Sequence, residues 1–254
     1  MKVWRNGNLI DFVVAELDGD GWPPGEGIFE TLRTEGGKVF ELGRHMRRAI
    51  DGASKQGISL PDEEDIRVGI SAVVTAEPQS VGRLRLLFAN GLFIVIHNMY
   101  EEISAPMNLD LMSENESALG ISVKSYPYTH RLELLDRAIS KGFGEVICCN
   151  ANGFISEGAV SNFIFRIDGQ WITTPLSAGV LPGVQRAIAV ERCGVEVRNL
   201  ARVDIPKIEA ALVLSSLKLA LPVAQIAGQM LQIDGDSQRL AQMIRANTQS
   251  HSVG

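Results

Sequence analysis

The chain has 254 residues, enough for one large domain or two modest ones, and its 45% hydrophobic and 21% charged residues are ordinary for a soluble protein. A net charge of −6 and a pI near 5.3 argue against a nucleic-acid surface, which requires a basic patch. No apolar run reaches the roughly 20 residues of a membrane span, and the first residues lack the apolar core of a signal peptide, so we expect a cytoplasmic protein without a membrane partner.

The first hundred residues predict two hairpins and two helices. Apolar pairs around an Asn-Gly turn predict a hairpin over residues 3–14. A glycine-rich turn into a strand follows at 25–33. Helical spacing predicts helices over about 42–56 and 62–76. The strands at 82–88 and 92–97 are joined by an Ala-Asn-Gly turn, which predicts a second hairpin.

Two arginines occupy one face of the first strand of that second hairpin. Arg83 and Arg85 alternate with leucines, so both side chains point to the same side of the sheet. This pattern is typical of a solvated sheet face. The polar, broken stretch 101–118 then predicts a connection between two domains. We predict an N-terminal α/β domain over 1–104, an interdomain connection over 105–118 and a C-terminal α/β domain over 119–254.

The second half predicts further strands and helices. The predicted strands are 121–125, 145–150, 161–166, 171–173 and 211–214, and the predicted helices are 130–141, one that starts after Pro182-Gly183, and 236–248. The first free N–H groups of the middle helix belong to Val184 and Gln185, and a helix N-terminus is a ready anion site. The three cysteines of the chain match no zinc or iron–sulfur pattern, so we predict reduced thiols and no metal site.

One stretch, residues 152–165, organises the chain. It opens on an Asn-Gly turn, carries the lone acid Glu157 between Ser156 and Gly158, and closes on an apolar strand. A carboxylate that is flanked by small residues just before a strand can approach a planar ligand. The same pattern also fits a hairpin whose glutamate simply faces water, and this stretch alone does not decide between the two interpretations.

The sequence ISEGAVSNFIF within that stretch resembles the signature of the fold-type IV pyridoxal-phosphate enzymes, the class IV aminotransferase-like group. That group includes branched-chain aminotransferases, D-amino-acid transaminases and 4-amino-4-deoxychorismate lyases, and the short chain resembles the last two most. The resemblance implies an α/β (α+β), two-domain fold of the D-amino-acid aminotransferase type, with pyridoxal 5'-phosphate in the cleft between the domains. It also implies a homodimer.

The resemblance implies one of two activities. The first is a lyase that releases pyruvate and gives 4-aminobenzoate, a step of folate biosynthesis. The second is an amino-acid transaminase. The substrate would be an amino acid or an aminodeoxychorismate-like small molecule, and no nucleic-acid partner is implied.

The resemblance also implies roles for individual residues. Glu157 would pair with the pyridine nitrogen of the cofactor, and Arg48 of a His-x-x-Arg motif would bind its phosphate, which suits the planar fork of a guanidinium. The backbone amides of Val184 and Gln185 would hold the same phosphate. Further implied positions are the phosphate-proximal serines Ser215 and Ser216, the cofactor-binding Arg131, and Arg83 and Arg85 near a substrate carboxylate.

The pattern departs from the family at the Schiff-base lysine. That lysine should lie four or five residues before a Tyr or Arg that begins a helix, but counting back from Arg131 gives Pro127 and Tyr126. As a substitute amine the sequence favours Lys218, which follows the two serines, over Lys124, which is predicted in or at the end of a strand. Lysine matters because its amine condenses with the cofactor aldehyde and shuttles the substrate proton.

Three interpretations therefore stay open. The protein is a working pyridoxal-phosphate enzyme that uses another lysine, or a catalytically impaired homologue that binds the cofactor or a small molecule non-covalently, or a cofactor-free binding module. The retained Glu157 and Arg48 count against the third interpretation, since nothing else obvious requires both.

Overall fold

The computed structural model describes residues 1–113 and 123–252. In chain order the strands are β1 Lys2–Arg5, β2 Asn8–Asp11, β3 Gly27–Glu35, β4 Lys38–Phe40, β5 Val81–Ala89, β6 Leu92–Met99, β7 Met107–Leu111, β8 Ser125–Tyr126, β9 Glu145–Ile147, β10 Asn162–Ile167, β11 Gln170–Thr173, β12 Glu196–Val197, β13 Ala210–Ser215, β14 Leu219–Ile226, β15 Gln229–Met230 and β16 Ser250–Ser252. The α-helices are α1 Leu42–Gln56, α2 Glu63–Ala76, α3 Thr129–Ser140, α4 Val184–Arg192 and α5 Gly235–Asn247.

The chain forms two compact units that are each discontinuous in sequence. Unit 1 comprises Met1–Glu102, Val123–Tyr128 and Gln249–Gly254, and unit 2 comprises Ile103–Ser122 and Thr129–Thr248. Each unit has an eight-stranded sheet together with α-helices, so the predicted α/β class is confirmed.

The sheet of unit 1 runs in the order β16-β4-β3-β5-β6-β1-β2, and β8 pairs with β3. Alternation along β3 places Ile28 and Leu32 in a core that includes side chains of α1 and α2. Phe29 lies on the opposite face, in a second core that includes Leu87 and Ile94. The two faces of this sheet therefore bury different side chains, and Glu30 shares the face of Ile28 and Leu32 by the same alternation.

The sheet of unit 2 runs in the order β12-β11-β10-β13-β14-β7-β9, and β15 pairs with β14. It is mixed: β7 pairs in parallel with both β14 and β9, whereas β10 pairs antiparallel with β11 and β13. Antiparallel pairing sets Asn162, at the start of β10, opposite Leu214, next to the end of β13. The residues just before β10 and just after β13 therefore lie at the same end of the sheet.

Most local predictions are confirmed, but the strand predicted over 145–150 ends at Ile147, and of the described part of 121–125 only Ser125 belongs to a strand, β8. The helices predicted over 42–56, 62–76, 130–141 and 236–248 and the helix after Gly183 occur within one residue of α1, α2, α3, α5 and α4. The prediction of an irregular connection over 101–118 is wrong in its middle, because β7 alternates the buried Met107 and Leu109 with half-buried polar residues and pairs with β14. Residues 114–118 of that connection, and 121–122 of the strand predicted at 121–125, lie outside the described residues.

None of the helices in residues 1–113 and 123–252 is long and apolar enough to cross a membrane.

Candidate active site

A buried cluster of three ionisable side chains joins β3 to α1 in unit 1. Glu30 accepts hydrogen bonds from Arg48 through both carboxylate oxygens, at 2.8 Å from Nε and 2.6 Å from Nη2. The Nδ1 atom of His45 lies 2.6 Å from Oε2 of the same carboxylate. His45 and Arg48 stand three apart on α1, so they share a helix face. The fork-to-fork pairing fixes the plane of the Arg48 guanidinium.

The protonation states of this cluster follow from its burial. Burial by itself raises the pKa of Glu30, but Arg48 and His45 outweigh it through charge and hydrogen bonds and lower that pKa to about 2. Burial lowers the pKa of His45, whereas the charge and the hydrogen bond of Glu30 act in the opposite direction. Arg48 and His45 together hold Glu30 as a carboxylate.

Lys124 lies immediately before β8, and its side chain packs on Phe29, whose ring lies on the sheet face opposite to that of Glu30. Its Nζ atom is 4.4 Å from the ring centroid of Phe29 and 5.0 Å from that of Tyr128. Its carbonyl accepts the backbone N–H of Phe29 at 2.9 Å, which anchors the segment to β3. Its charge is close enough to His45 to act on the imidazole pKa. Lys124 therefore presents an amine within the same unit as Arg48, on an aromatic surface.

The two arginines of β5 differ in their surroundings. Arg85 is buried, its Nη1 donates to the carbonyl of Asp20 at 2.8 Å, and its guanidinium lies 4.2 Å from the ring centroid of Trp22. Burial lowers the pKa of Arg85 to about 10. Arg83 is half-buried, and Arg33 stands opposite it in the strand pairing. Arg85 is thus held by contacts within unit 1, and a role of Arg83 or Arg85 towards a substrate carboxylate stays a prediction.

Glu157 does not face water; it is buried in unit 2 with several donors. Arg131, from the first turn of α3, donates from Nη2 to Oε1 at 2.8 Å. Asn162 donates to Oε2 at 3.1 Å, and the backbone N–H of Leu181 donates to the same oxygen at 3.0 Å. The interpretation of a solvent-facing glutamate is therefore wrong. Three chain segments distant in sequence converge on this carboxylate.

Two close approaches of backbone shape the loop around Glu157. A Cβ on Gly183 would overlap Oδ1 of Asn162, so only glycine allows the Leu-Pro-Gly turn to reach this amide. A Cβ on Gly158 would approach the carboxylate carbon of Glu145 within 2.8 Å. Glu145 is itself fully buried and accepts the N–H groups of Ala159 and Val160 at 2.9 and 3.2 Å. The small residues of the motif are thus required by packing.

The predicted phosphate-proximal residues sit at the same end of the unit 2 sheet as Asn162. α4 starts at Val184 after an N-cap glycine, and the first N–H groups of any helix lack an intrahelical acceptor. The side chain of Gln185 is turned to Thr248, whose Oγ1 donates to it at 3.0 Å. Ser215 closes β13, and its Oγ accepts the backbone N–H of Lys218 at 3.1 Å; Ser216 follows it in the turn.

Lys218 lies in that turn between β13 and β14, in unit 2. Burial lowers the pKa of its amine, and the charge of Glu145 opposes this change. One further polar group lies four residues after Glu157: the Oγ of Ser161 is buried and has no hydrogen-bond partner within the described residues. An unsatisfied buried hydroxyl of this kind calls for an unobserved partner such as a ligand or water.

The predicted site residues thus fall into two groups. Unit 1 holds Arg48, Lys124, Arg83 and Arg85, and unit 2 holds Glu157, Arg131, Val184, Gln185, Ser215, Ser216 and Lys218. Sequence reasoning missed three functional neighbours: Glu30, Asn162 and the amide of Leu181. A usable signal existed for Glu30, because it is the acid on the apolar face of β3.

The comparisons with known proteins agree with this geometry. Residues 27–226 match the sequence profile of the family described as amino-transferase class IV. The chain is 22% identical over 256 residues to a D-alanine aminotransferase of Bacillus licheniformis, covering 91% of this chain and 90% of that protein. It is 23% identical over 257 residues to a bifunctional aminodeoxychorismate lyase / D-amino acid transaminase of Mycobacterium tuberculosis, covering 87% and 89%.

The fold matches solved structures as well. A hypothetical aminotransferase from Mycobacterium tuberculosis, solved in a form with pyridoxal phosphate bound, superimposes with a TM-score of 0.83 at 20% identity, covering 97% of this chain and 98% of that one. This similarity shows the fold, and the profile covers most of the chain. The protein therefore belongs to the class IV aminotransferase family.

Proposed function

We propose that the protein is a pyridoxal-phosphate enzyme that acts on an amino acid or an aminodeoxychorismate-like substrate, with Lys124 as its reactive amine. The observation that carries the proposal is the placement of Lys124. Its Nζ lies over Phe29 and Tyr128, and its charge acts on His45, whose carboxylate partner Glu30 also holds Arg48. An amine and an anchored guanidinium in the same unit suit the aldehyde and the phosphate of one cofactor.

Each unit, taken by itself, offers donors that suit this cofactor. When bound, pyridoxal phosphate supplies an aldehyde that condenses with a lysine amine and a ring that accepts electrons from the substrate. Arg48, held in plane by Glu30, offers a guanidinium to the phosphate. Glu157 offers a buried carboxylate to the ring nitrogen, and Ser161 adds a buried hydroxyl that lacks a partner within the described chain.

The surroundings of the two candidate lysines favour Lys124 over Lys218, the reverse of the ranking from sequence. Lys124 shares its unit with Arg48, and its charge acts on His45 of the Glu30–His45–Arg48 cluster. The charge of Lys218 interacts with that of Glu145, a carboxylate that already accepts a backbone N–H group. The two lysines remain experimentally separable because they lie 94 positions apart in the 254-residue sequence (218 − 124).

The chemical task of Lys124 is the same for a lyase and for a transaminase. Its amine would hold or move a proton at the substrate α carbon, work worth roughly 100- to 10,000-fold in rate. A relative of 23% identity is named for both activities, which supports testing both. A homodimer in the cytoplasm and a place in folate biosynthesis belong to the same proposal, and sedimentation velocity tests the dimer directly.

The test is borohydride reduction of the purified protein after incubation with pyridoxal phosphate, followed by peptide mass mapping. We expect a stoichiometric pyridoxyl group on Lys124, and an absorbance band of the bound cofactor that Lys124→Met abolishes and Lys218→Met retains. Lys141, an exposed lysine, serves as the control as Lys141→Met.

Each of the other outcomes would reject part or all of the proposal. An adduct on Lys218 would reject Lys124 as the reactive amine. Bound cofactor without any adduct would establish the non-covalent binder instead. No binding at millimolar cofactor would reject the proposed function.

A further inference from the structure

Arg131 directs its guanidinium at Glu157 and the adjacent backbone. Nη2 donates to Oε1 of Glu157 at 2.8 Å, and Nη1 donates to the carbonyl of Gly158 at 2.9 Å. Both side chains are buried, with 6% of the arginine and 5% of the glutamate exposed. These two acceptors fix the guanidinium, and its positive charge lies next to the carboxylate of Glu157.

The other charged and titratable groups around Glu157 do not replace this ion pair. Arg186 of α4 acts on Glu157 at longer range, since its Nε and Nη2 both donate to the carbonyl of Thr174 at 3.1 and 2.7 Å. Burial raises the pKa of the Cys148 thiol to about 12, so this neighbour is neutral. Glu145 acts, like Glu157, on the Cys148 thiol, and its own carboxylate accepts the backbone N–H groups of Ala159 and Val160.

The charge state of a buried carboxylate depends strongly on its partner. Desolvation favours the neutral acid, and an adjacent cation favours the carboxylate. A ring nitrogen that faces Glu157 shares one proton with it, which sits either on the nitrogen or on the carboxyl oxygen. A cation at 2.8 Å from the carboxylate would stabilise its negative charge more than it would oppose a positive charge on a ring nitrogen farther away.

We propose that Arg131 is a positioning residue that keeps Glu157 ionised and thereby holds the shared proton on the ring nitrogen of pyridoxal phosphate. This inference rests on the proposed function. It goes beyond that function because it assigns to one buried arginine the protonation state of the ring, and the protonated ring is the better electron acceptor. Removing the charge of Arg131 moves the proton to Glu157, with no change in the total number of protons bound.

The test is nitrogen-15 NMR of the whole protein loaded with pyridoxal phosphate that is labelled at the ring nitrogen, after free cofactor has been removed. A protonated ring nitrogen resonates far upfield of a neutral one. We expect the upfield resonance in the unmodified protein and in Arg131→Lys, which keeps the charge. We expect the downfield, neutral resonance in Arg131→Gln, which keeps hydrogen bonding without charge. Arg137→Leu, an exposed arginine of the same helix, should behave as the unmodified protein.

The outcomes separate this inference from the proposed function. If the labelled cofactor does not bind the unmodified protein, the proposed function fails. If it binds and its nitrogen is neutral in the unmodified protein, or stays protonated in Arg131→Gln, the role of Arg131 is wrong and the proposed function stands. Retained binding in Arg131→Gln, measured by fluorescence quenching, shows that the variant is folded, and a neutral resonance in it supports the inference.

Discussion

The substitution Glu30→Gln tests how much the buried cluster of unit 1 contributes to stability. The carboxylate is 1% exposed and is bonded to Arg48 through both oxygens. Its pKa lies at about 2 instead of the ordinary 4.5, and since each pKa unit corresponds to about 1.4 kcal/mol, the cluster stabilises the ionised form by ~3 kcal/mol. Removing one partner of a buried pair costs a similar ~3–5 kcal/mol.

The pH dependence of this loss has a definite sign. Because the pKa of Glu30 is lower in the folded protein, its contribution is present above about pH 4.5 and is lost as the pH falls towards 2. The variant should therefore be ~3 kcal/mol less stable than the unmodified protein at pH 7, and the difference should shrink steadily below pH 4.5. His45, whose pKa is lowered by burial, acts at higher pH, where its contribution is lost as the pH falls below about 6.5.

The assay is urea denaturation from pH 7.5 to pH 2.5, followed by tryptophan fluorescence. Trp4 and Trp22 lie in unit 1 and Trp171 in unit 2, so a Trp171→Phe background reports on unit 1 alone. The matched control is Glu63→Gln. That glutamate also pairs with an arginine at 2.7 Å, but its side chain is 77% exposed, so its loss should cost no more than about 0.5 kcal/mol.

Two results would refute this reasoning. The first is a loss at pH 7 no larger than that of Glu63→Gln. The second is a difference between Glu30→Gln and the unmodified protein that does not change between pH 5 and pH 2.5.

Three further predictions concern unit 2. Arg166→Met should destabilise the protein by on the order of 2 kcal/mol at pH 7 in urea titrations, because Arg166 bonds Asp234 at 2.8 Å. Arg166 lowers the pKa of Asp234, so this effect should fade below about pH 3.8, and a constant effect down to pH 2.5 would contradict it. Gly183→Ala should lower the melting temperature in calorimetry, since its Cβ would overlap Asn162, whereas an unchanged value would show that the turn yields. Cys148 should resist Ellman's reagent until the protein unfolds, because it is fully buried and its pKa is about 12; labelling of the native protein at this residue would count against that burial.

The amino-acid sequence by itself determined the regular elements and the identity of the site motifs. The helical spacing of apolar residues in α1 and α2 and the Asn-Gly turn between β5 and β6 are local patterns. Each predicted an element to within a residue or two. The motif around Glu157 was equally local, and it indicated the family that the comparisons confirm. These features needed no knowledge of distant parts of the chain, because hydrophobic period and turn chemistry act over a few residues.

Only the tertiary structure decided which side chains meet. Glu30 lies 18 positions before Arg48, and Arg131 lies 26 before Glu157, and no spacing rule links either pair. The segment that carries Lys124 belongs to unit 1 because β8 pairs with β3, although a division by sequence order assigns it to the second domain. Strand pairing and burial are settled by long-range packing, and it is this packing that places the Lys124 amine over Phe29 and Tyr128 and gives Glu157 its buried counterion.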